Sequence, residues 1–337
     1  MKKMIALWIV VAATGINYCA AVPAAAKQLT AGQDYKEKAE NVLTWQTAEG
    51  GWPKNVDTQK TAYVDDVKKL HATFDNGATS GEMRFLARAF AETGDMRYRQ
   101  AFLRGFDYIL KSQNPAGGWP QSWPAKKDYT RRITFNDNAM VNVMWVLRDF
   151  SNLPDYHFVD KQRQAAGRAA FARGIDCILK CQVRVSGKLT VWCAQHDEND
   201  YSPRPGRSFE LVSLSGGESA GILKLLMSIK EPSPAVVETI EGGVRWFETA
   251  KIKGIREVTV EGDKKMSEDA NAPAMWARFY EIETNRPIFA GRDGVKKYRL
   301  SEIEAERRNG YAWYGYWGKA VIEDYALWRA KIPNPKF

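Results

Sequence analysis

"DYILKSQNPAGGWPQ" (107–121) decides the fold, because its pattern returns twice. "NVLTWQTAEGGWPKN" starts at 41 and "DCILKCQVRVSGKLTVW" at 176. Each copy has an apolar pair, a spacer and a glutamine (Gln46, Gln113, Gln182), then a glycine-containing turn leading to Trp52, Trp119 or Trp192. The glutamines are 67 and 69 residues apart, and Gly105, Gly174 and Gly243 are spaced evenly by 69. "GVRWFETAKIKG", from 243, reads as a fourth, degraded copy. Between copies lie 80–93, 138–150, 218–229 and 272–283, whose apolar residues recur at three and four, the helical period. "LTVWC" (189–193) and "IREVTVEG" (255–262) read as short strands that pair. The unit is helix, glycine-rich loop, second helix. A two-helix unit buries only one face, so several must stack or close. The irregular period and long polar loops favour closure over an open solenoid. The predicted fold is all-α dominated: an α/α toroid, or incomplete α/α barrel, with short β-strands in its loops.

The toroid would gather the loops entering its inner helices at one rim. There "TFDNGAT" (73–79) and "TFNDNAM" (134–140) would meet, although they lie 61 residues apart. Asp137 and Asn138 are suited to capping the helix that follows. Asp75, Asn76, Asp137 and Asn138 together also supply the hard oxygen donors that calcium takes.

Composition narrows the function. The 337-residue chain carries a formal charge of +9, about +7 once Lys2 and Lys3 are set aside. No Lys/Arg-rich run accompanies that charge, so an anionic polysaccharide is expected as partner rather than nucleic acid. Lys2, Lys3 and the apolar "MIALWIVVAA", too short to span a bilayer, precede small residues suited to cleavage after Ala26. Residues 1–26 are therefore read as a signal peptide and 27–337 as one catalytic domain, monomeric, exported to the periplasm or beyond the cell, with no membrane span after processing. Cys177, Cys181 and Cys193 are an odd set, read as buried thiols or as one disulfide to Cys193; a zinc site with His196 fits no common spacing. "SPRPGRSFELVSLSGGES" (202–219) lacks the context of a serine nucleophile elbow. His71, His157 and His196 are the only histidines; His196 could act as acid or base, but a surface-loop position is expected for it, and the chemistry is not expected to run on histidine. Arg278, Arg286 and Arg292 can grip carboxylates. Beside them "GYAWYGYWG" (310–318) offers aromatic faces to sugar rings, with Tyr314 as the candidate substrate contact.

"GGWPKN", "TFDNGAT", "GGWPQ", "ITFNDNAM", "WCAQHD", "GRSFELVSLSG", "RFYEIETNRPIFAGRDG" and "YAWYG" together resemble the ordered motifs of polysaccharide lyase family 10, the pectate lyases built on an α/α toroid. The likeness runs from about residue 36 to the C-terminus. It implies calcium-assisted β-elimination of polygalacturonate (pectate) to 4,5-unsaturated oligogalacturonides. By motif it implies Arg207 as the base, Asp137 and Asp75 as calcium ligands, Asp75 and Asn76 in the substrate cleft, and Arg278 and Arg292 on substrate carboxylates. Arg204 stands as a rival base, and cationic neighbours with partial desolvation are expected to ease deprotonation of the base. A toroid hydrolase using Asp75 and Asp137 as acid and base, a glycan-binding protein and an isoprenoid-type cyclase are the competing readings.

Overall fold

The computed structural model describes residues 35–150 and 152–332. The expected signal segment, 1–26, lies outside the described residues. Nine helices organise these residues: α1 (35–44), α2 (Ser80–Thr93), α3 (Met96–Ser112), α4 (Ala139–Asp149), α5 (Lys161–Cys181), α6 (Gly216–Met227), α7 (Pro234–Thr249), α8 (Ala305–Asn309) and α9 (Trp317–Arg329). Helices α2, α4, α6 and α9 pack on one another in sequence to form an inner arc, while α3, α5 and α7 form an outer one. Among the described residues no pairing of similar extent joins α9 back to α2, so the α/α toroid is incomplete.

The repeat has a physical basis. Trp52, Trp119, Trp192 and Trp276 are buried, and each donates its indole N–H to a carbonyl in the last turn of an outer helix: Val42 O at 2.9 Å, Ile109 O at 2.8 Å, Ile178 O at 2.8 Å and Phe247 O at 2.9 Å. Those carbonyls are among the groups a helix cannot pair internally. The glutamines act between repeats. Gln113 Nε2 donates to Gly117 O at 2.8 Å in its own loop and to Ala170 O at 2.9 Å on α5. Gln46 bonds in the same way to Gly50 O and Ala101 O, and Gln182 to Thr190 O and Thr239 O. Gly117 takes φ 88° there, and a Cβ on it would sit 2.4 Å from Arg173 O. The glycines spaced by 69 mark close helix approaches: a Cβ on Gly174 would come 2.3 Å from Met144 Sδ, and one on Gly243 2.8 Å from Leu223 Cδ2.

After each tryptophan the chain leaves on an excursion and returns to the same point. Thr73 N–H donates to Trp52 O at 3.0 Å, Thr134 N–H to Trp119 O at 3.0 Å and Ser215 N–H to Trp192 O at 2.7 Å. These necks place the start of each inner helix beside its excursion. A second small core of Phe209, Phe279, Phe289, Ile303 and Trp313 lies under the C-terminal loops.

Two expectations are corrected. Segment 272–283 is not a helix: Trp276–Ala277 and Phe279–Tyr280 are short strands, and the fourth inner helix is α9. Every residue from Met275 to Tyr280 is buried, so its apolar spacing carries no directional signal. The two predicted strands do not pair with each other either. Ile255–Val260 pairs with Asp263–Glu268 through a two-residue turn, Glu261 at φ 53° and Gly262 at φ 77°, while Lys188–Leu189 pairs with Arg184–Val185. Short loops close at lower entropic cost than distant strands meet. Of the two readings of the cysteines, the first holds: Cys177, Cys181 and Cys193 are free, buried thiols.

Gln113→Leu tests the bolt between repeats. It leaves the Gly117 carbonyl without a hydrogen bond among the described residues and takes from Ala170 O the bond it accepts beside its helical one, and the expected loss is about 1–3 kcal/mol, read as a lower urea midpoint with unchanged slope.

Candidate active site

The turns "TFDNGAT" and "TFNDNAM" do meet: the 3-10 turns Asp75–Gly77 and Asn136–Asn138 pack directly against each other. Their Asx residues do not cap the helices as expected, since the N-cap residues Thr79 and Asn138 make no side-chain capping bond. They bend the backbone instead. Asn76, Asp137 and Asn138 take φ of 54°, 49° and 59°, the left-handed region that Asn and Asp tolerate best after glycine. Superposing the two motifs sets Asp75 against Asn136 and Asn76 against Asp137, so the two carboxylates are not equivalent positions.

Asp75 is buried, 3% exposed. Its Oδ2 is ion-paired with Lys54 and accepts from Gln121 Nε2 at 2.7 Å, whereas the buried Oδ1 has no hydrogen-bond partner among the described residues. Asn76 is exposed and donates to Asn55 Oδ1 at 3.1 Å. Asp137 Oδ1 lies 3.0 Å from Arg278 Nη2, and its Oδ2 accepts from Asn136 Nδ2 at 2.6 Å.

Arg278 belongs to the short strands of the fourth excursion, held by its N–H to Trp313 O at 2.7 Å. Its guanidinium bridges Asp137 and the buried Glu218 at the start of α6, and lies 4.5 Å from the Tyr311 ring centre. Burial alone would weaken its hold on the proton, but Glu218 above all, with Tyr311 and Asp137, reverses the effect and raises its pKa. Glu218 Oε2 also accepts from Ser215 Oγ.

Arg207 lies near the same ring, 5.8 Å from the Tyr311 centre and 4.7 Å from that of Phe209. Glu210, 1% exposed, accepts from both the backbone N–H and the side chain of Arg207, and the Tyr311 hydroxyl donates to it at 3.1 Å. Here the expectation of an eased deprotonation is reversed. Partial burial does pull the Arg207 pKa down, but the hydrogen bond and charge of Glu210 outweigh it and leave the pKa raised.

The remaining candidates stand apart. Arg292 is exposed and forms a two-nitrogen pair with Glu306 at 3.0 Å, although its charge still opposes that of Arg207. Arg204 is tied to Asp197 at 3.0 Å and Asp200 at 3.5 Å. The structure does not bring Tyr314 to the arginines: it pairs with Ala277 and packs 5.4 Å from Phe289. Tyr311 holds that place. Sequence reasoning gave no role to Glu210, Glu218 or Tyr311. The one local signal was the i,i+3 spacing of Arg207 and Glu210. His196, expected in a surface loop, is instead fully buried. Its Nε2 accepts the Cys193 N–H at 3.0 Å and its Nδ1 faces Tyr201 O at 2.8 Å, so the ring is neutral and structural.

Two arginine–glutamate pairs meeting at one aromatic ring, with carboxylates on turns at the rim of an α/α toroid, suit an enzyme that acts on an acidic polysaccharide. Comparison with known proteins agrees. The sequence profile of the pectic acid lyase family matches residues 46–322. A family 10 polysaccharide lyase from Cellvibrio cellulosa superposes with a TM-score of 0.80 at 34% identity, over 92% of this chain and 97% of its own. A mutant of that lyase, solved in complex with trigalacturonic acid, superposes with a TM-score of 0.79 at 34% identity, over 90% and 96%. The comparison with curated proteins gives no match. The chain belongs to the pectic acid lyase family and is a pectate lyase.

His196 sets a pH dependence of stability. Burial depresses its pKa to about 4, below the unfolded value of about 6.5. The unfolded chain therefore binds the proton more tightly. The stabilisation from the neutral ring is complete above pH 6.5 and is lost as pH falls toward 4, on the order of 3 kcal/mol. Urea midpoints across that window should drop in the native protein and flatten in His196→Gln.

Proposed function

We propose that this lyase cleaves polygalacturonate by β-elimination with Arg207 as the base. The C5 proton of the uronate passes to the Arg207 guanidine. The C–H electron pair becomes the C4=C5 double bond, and the bond from C4 to the glycosidic oxygen breaks, its electron pair leaving with that oxygen, which takes a proton from water. The observation that carries the assignment is the mounting of Arg207. Glu210 and Phe209 fix the guanidinium through Nη2 and one face, while Nε and Nη1 have no hydrogen bond among the described residues. Arg204 has no such mounting. The trisaccharide complex of the Cellvibrio lyase supports an oligogalacturonide as substrate.

Proton abstraction builds negative charge on the C5 carboxylate. Arg278, fixed between Glu218 and Asp137, is placed to hold a substrate carboxylate, and Arg292 adds positive charge near Arg207. Preorganised cations of this kind stabilise charge as it develops. Calcium fits the donor set. Asp75 Oδ1 is a buried acceptor without a partner, and Asp137 is partly exposed at the neighbouring turn. Among the described residues no group of three His, Cys, Asp or Glu side chains is arranged to hold a metal, so a calcium ion on Asp75 and Asp137 would complete its six to eight oxygens from water and substrate. Bound there, calcium would add positive charge beside the reacting carboxylate.

A base with a reference pKa near 12.5 is about 3.5 units from its neutral form at pH 9, roughly 5 kcal/mol. Glu210 adds to that penalty, so activity should climb steeply with pH. The basic charge and N-terminal pattern support action outside the cytoplasm.

With polygalacturonate at alkaline pH and calcium, ultraviolet absorbance of the unsaturated product should rise, and chelator should stop it. Arg207→Lys should lower kcat by ~10²–10⁴-fold. Reducing ends without absorbance would mean hydrolysis, and near-full activity of Arg207→Lys would remove Arg207 as the base.

A further inference from the structure

Beside the Asp75 turn lies a groove of about 890 Å³, walled by residues of the first two excursions, at the upper end of the ~300–1,000 Å³ that holds a small-molecule ligand. Four lysines, Lys54, Lys68, Lys69 and Lys126, line it against two acidic residues, Glu49 and Asp128. Two of the lysines are already engaged, Lys54 by Asp75 and Lys69 by Asp65 at 2.7 Å. Lys68 and Lys126 are exposed and form no ion pair among the described residues; Asp128, which feels the charge of Lys126, is taken up by the backbone and hydroxyl of Thr130. The wall also carries a buried acceptor with no partner, Gln121 Oε1. Trp123 adds a half-buried aromatic ring fixed by Tyr108, whose hydroxyl bonds both Trp123 O at 3.0 Å and Trp123 N–H at 3.1 Å. The groove lies beside the arginine site, since Tyr129 in its wall is within electrostatic reach of Arg207, Glu210 and Asp75.

A ligand matching this surface carries carboxylates, hydroxyls that donate, and a C–H-rich ring face. We propose that the groove is a remote binding site for the polyuronate chain, taking sugar residues beyond those at the scissile bond, with Lys68 and Lys126 on their carboxylates, Gln121 on a hydroxyl and Trp123 against a ring. This rests on polygalacturonate as the substrate. The enzyme then gains affinity from chain length, through contacts made equally in the ground and transition states, so the gain appears in KM rather than kcat.

The test compares kcat and KM on trigalacturonate and hexagalacturonate for the native enzyme and for the double variant Lys68→Gln, Lys126→Gln. Expected is a lower native KM for the hexamer, a roughly fivefold to tenfold rise of that KM in the variant, and unchanged constants on the trimer. An equal loss on both oligomers, or no loss on the hexamer, overturns the proposal. If the native enzyme cleaves neither oligomer, the lyase reading of the site fails separately. Migration in a gel containing polygalacturonate then decides the groove: retardation of the native protein but not the variant upholds it, and equal migration overturns it.

Discussion

The indole N–H of a buried tryptophan, given to a carbonyl at the end of a helix, is the contact on which this architecture depends. Trp52, Trp119, Trp192 and Trp276 each make it. A large apolar ring fills the gap between inner and outer helices while its one polar atom meets a carbonyl the helix leaves open. An unpaired buried N–H would cost about 1–3 kcal/mol, so each ring has essentially one stable setting. That setting fixes where its loop departs. In the first two repeats the bond spans 10 residues, and in the fourth 29, because a β-hairpin (255–268) intervenes before Trp276.

The chemistry sits on that frame by way of a second, smaller core. Phe209 and Phe279 are anchored among Phe289, Ile303 and Trp313, and each is the near neighbour in sequence of a site arginine. Arg207 and Arg278 both approach Tyr311, each tied to a glutamate that is almost wholly buried. Withdrawing such carboxylates from water costs several kcal/mol unless the pairing is close and further hydrogen bonds complete it. Both glutamates meet that condition, Glu210 through the Arg207 N–H and Tyr311, Glu218 through Ser215. The arrangement trades acidity for position: Glu210 holds its arginine in place and at the same time strengthens the arginine's hold on its proton.

The parts of the fold that were legible in sequence are those where one chemical solution recurs. Gln46, Gln113 and Gln182 announce themselves because each bonds the same two partners, a loop carbonyl and one in the next outer helix. Asp75 and Asp137 were legible through their shared flanks, but their backbone role was not, since a capping residue and a left-handed residue draw on the same Asn and Asp preference. The segment 272–283 misled because a stretch buried on every side loses its period, and α9 went unread behind a cluster of aromatics. Glu218 and Tyr311 stayed hidden because their partners are distant in the chain: Glu218 meets Arg278 across 60 residues and Tyr311 meets Glu210 across 101.

The hydrogen-bonded necks beneath the excursions carry a further meaning. Thr73, Thr134 and Ser215 return the chain to the tryptophan it just left, whatever runs between. Added length in a closed loop costs little, about 0.6 kcal/mol per doubling. Ring and rim are therefore inherited separately: an excursion spliced out at its neck and replaced by that of a relative would keep the helical frame intact, and new sugar preferences could arise by exchange of whole loops rather than by change of single side chains.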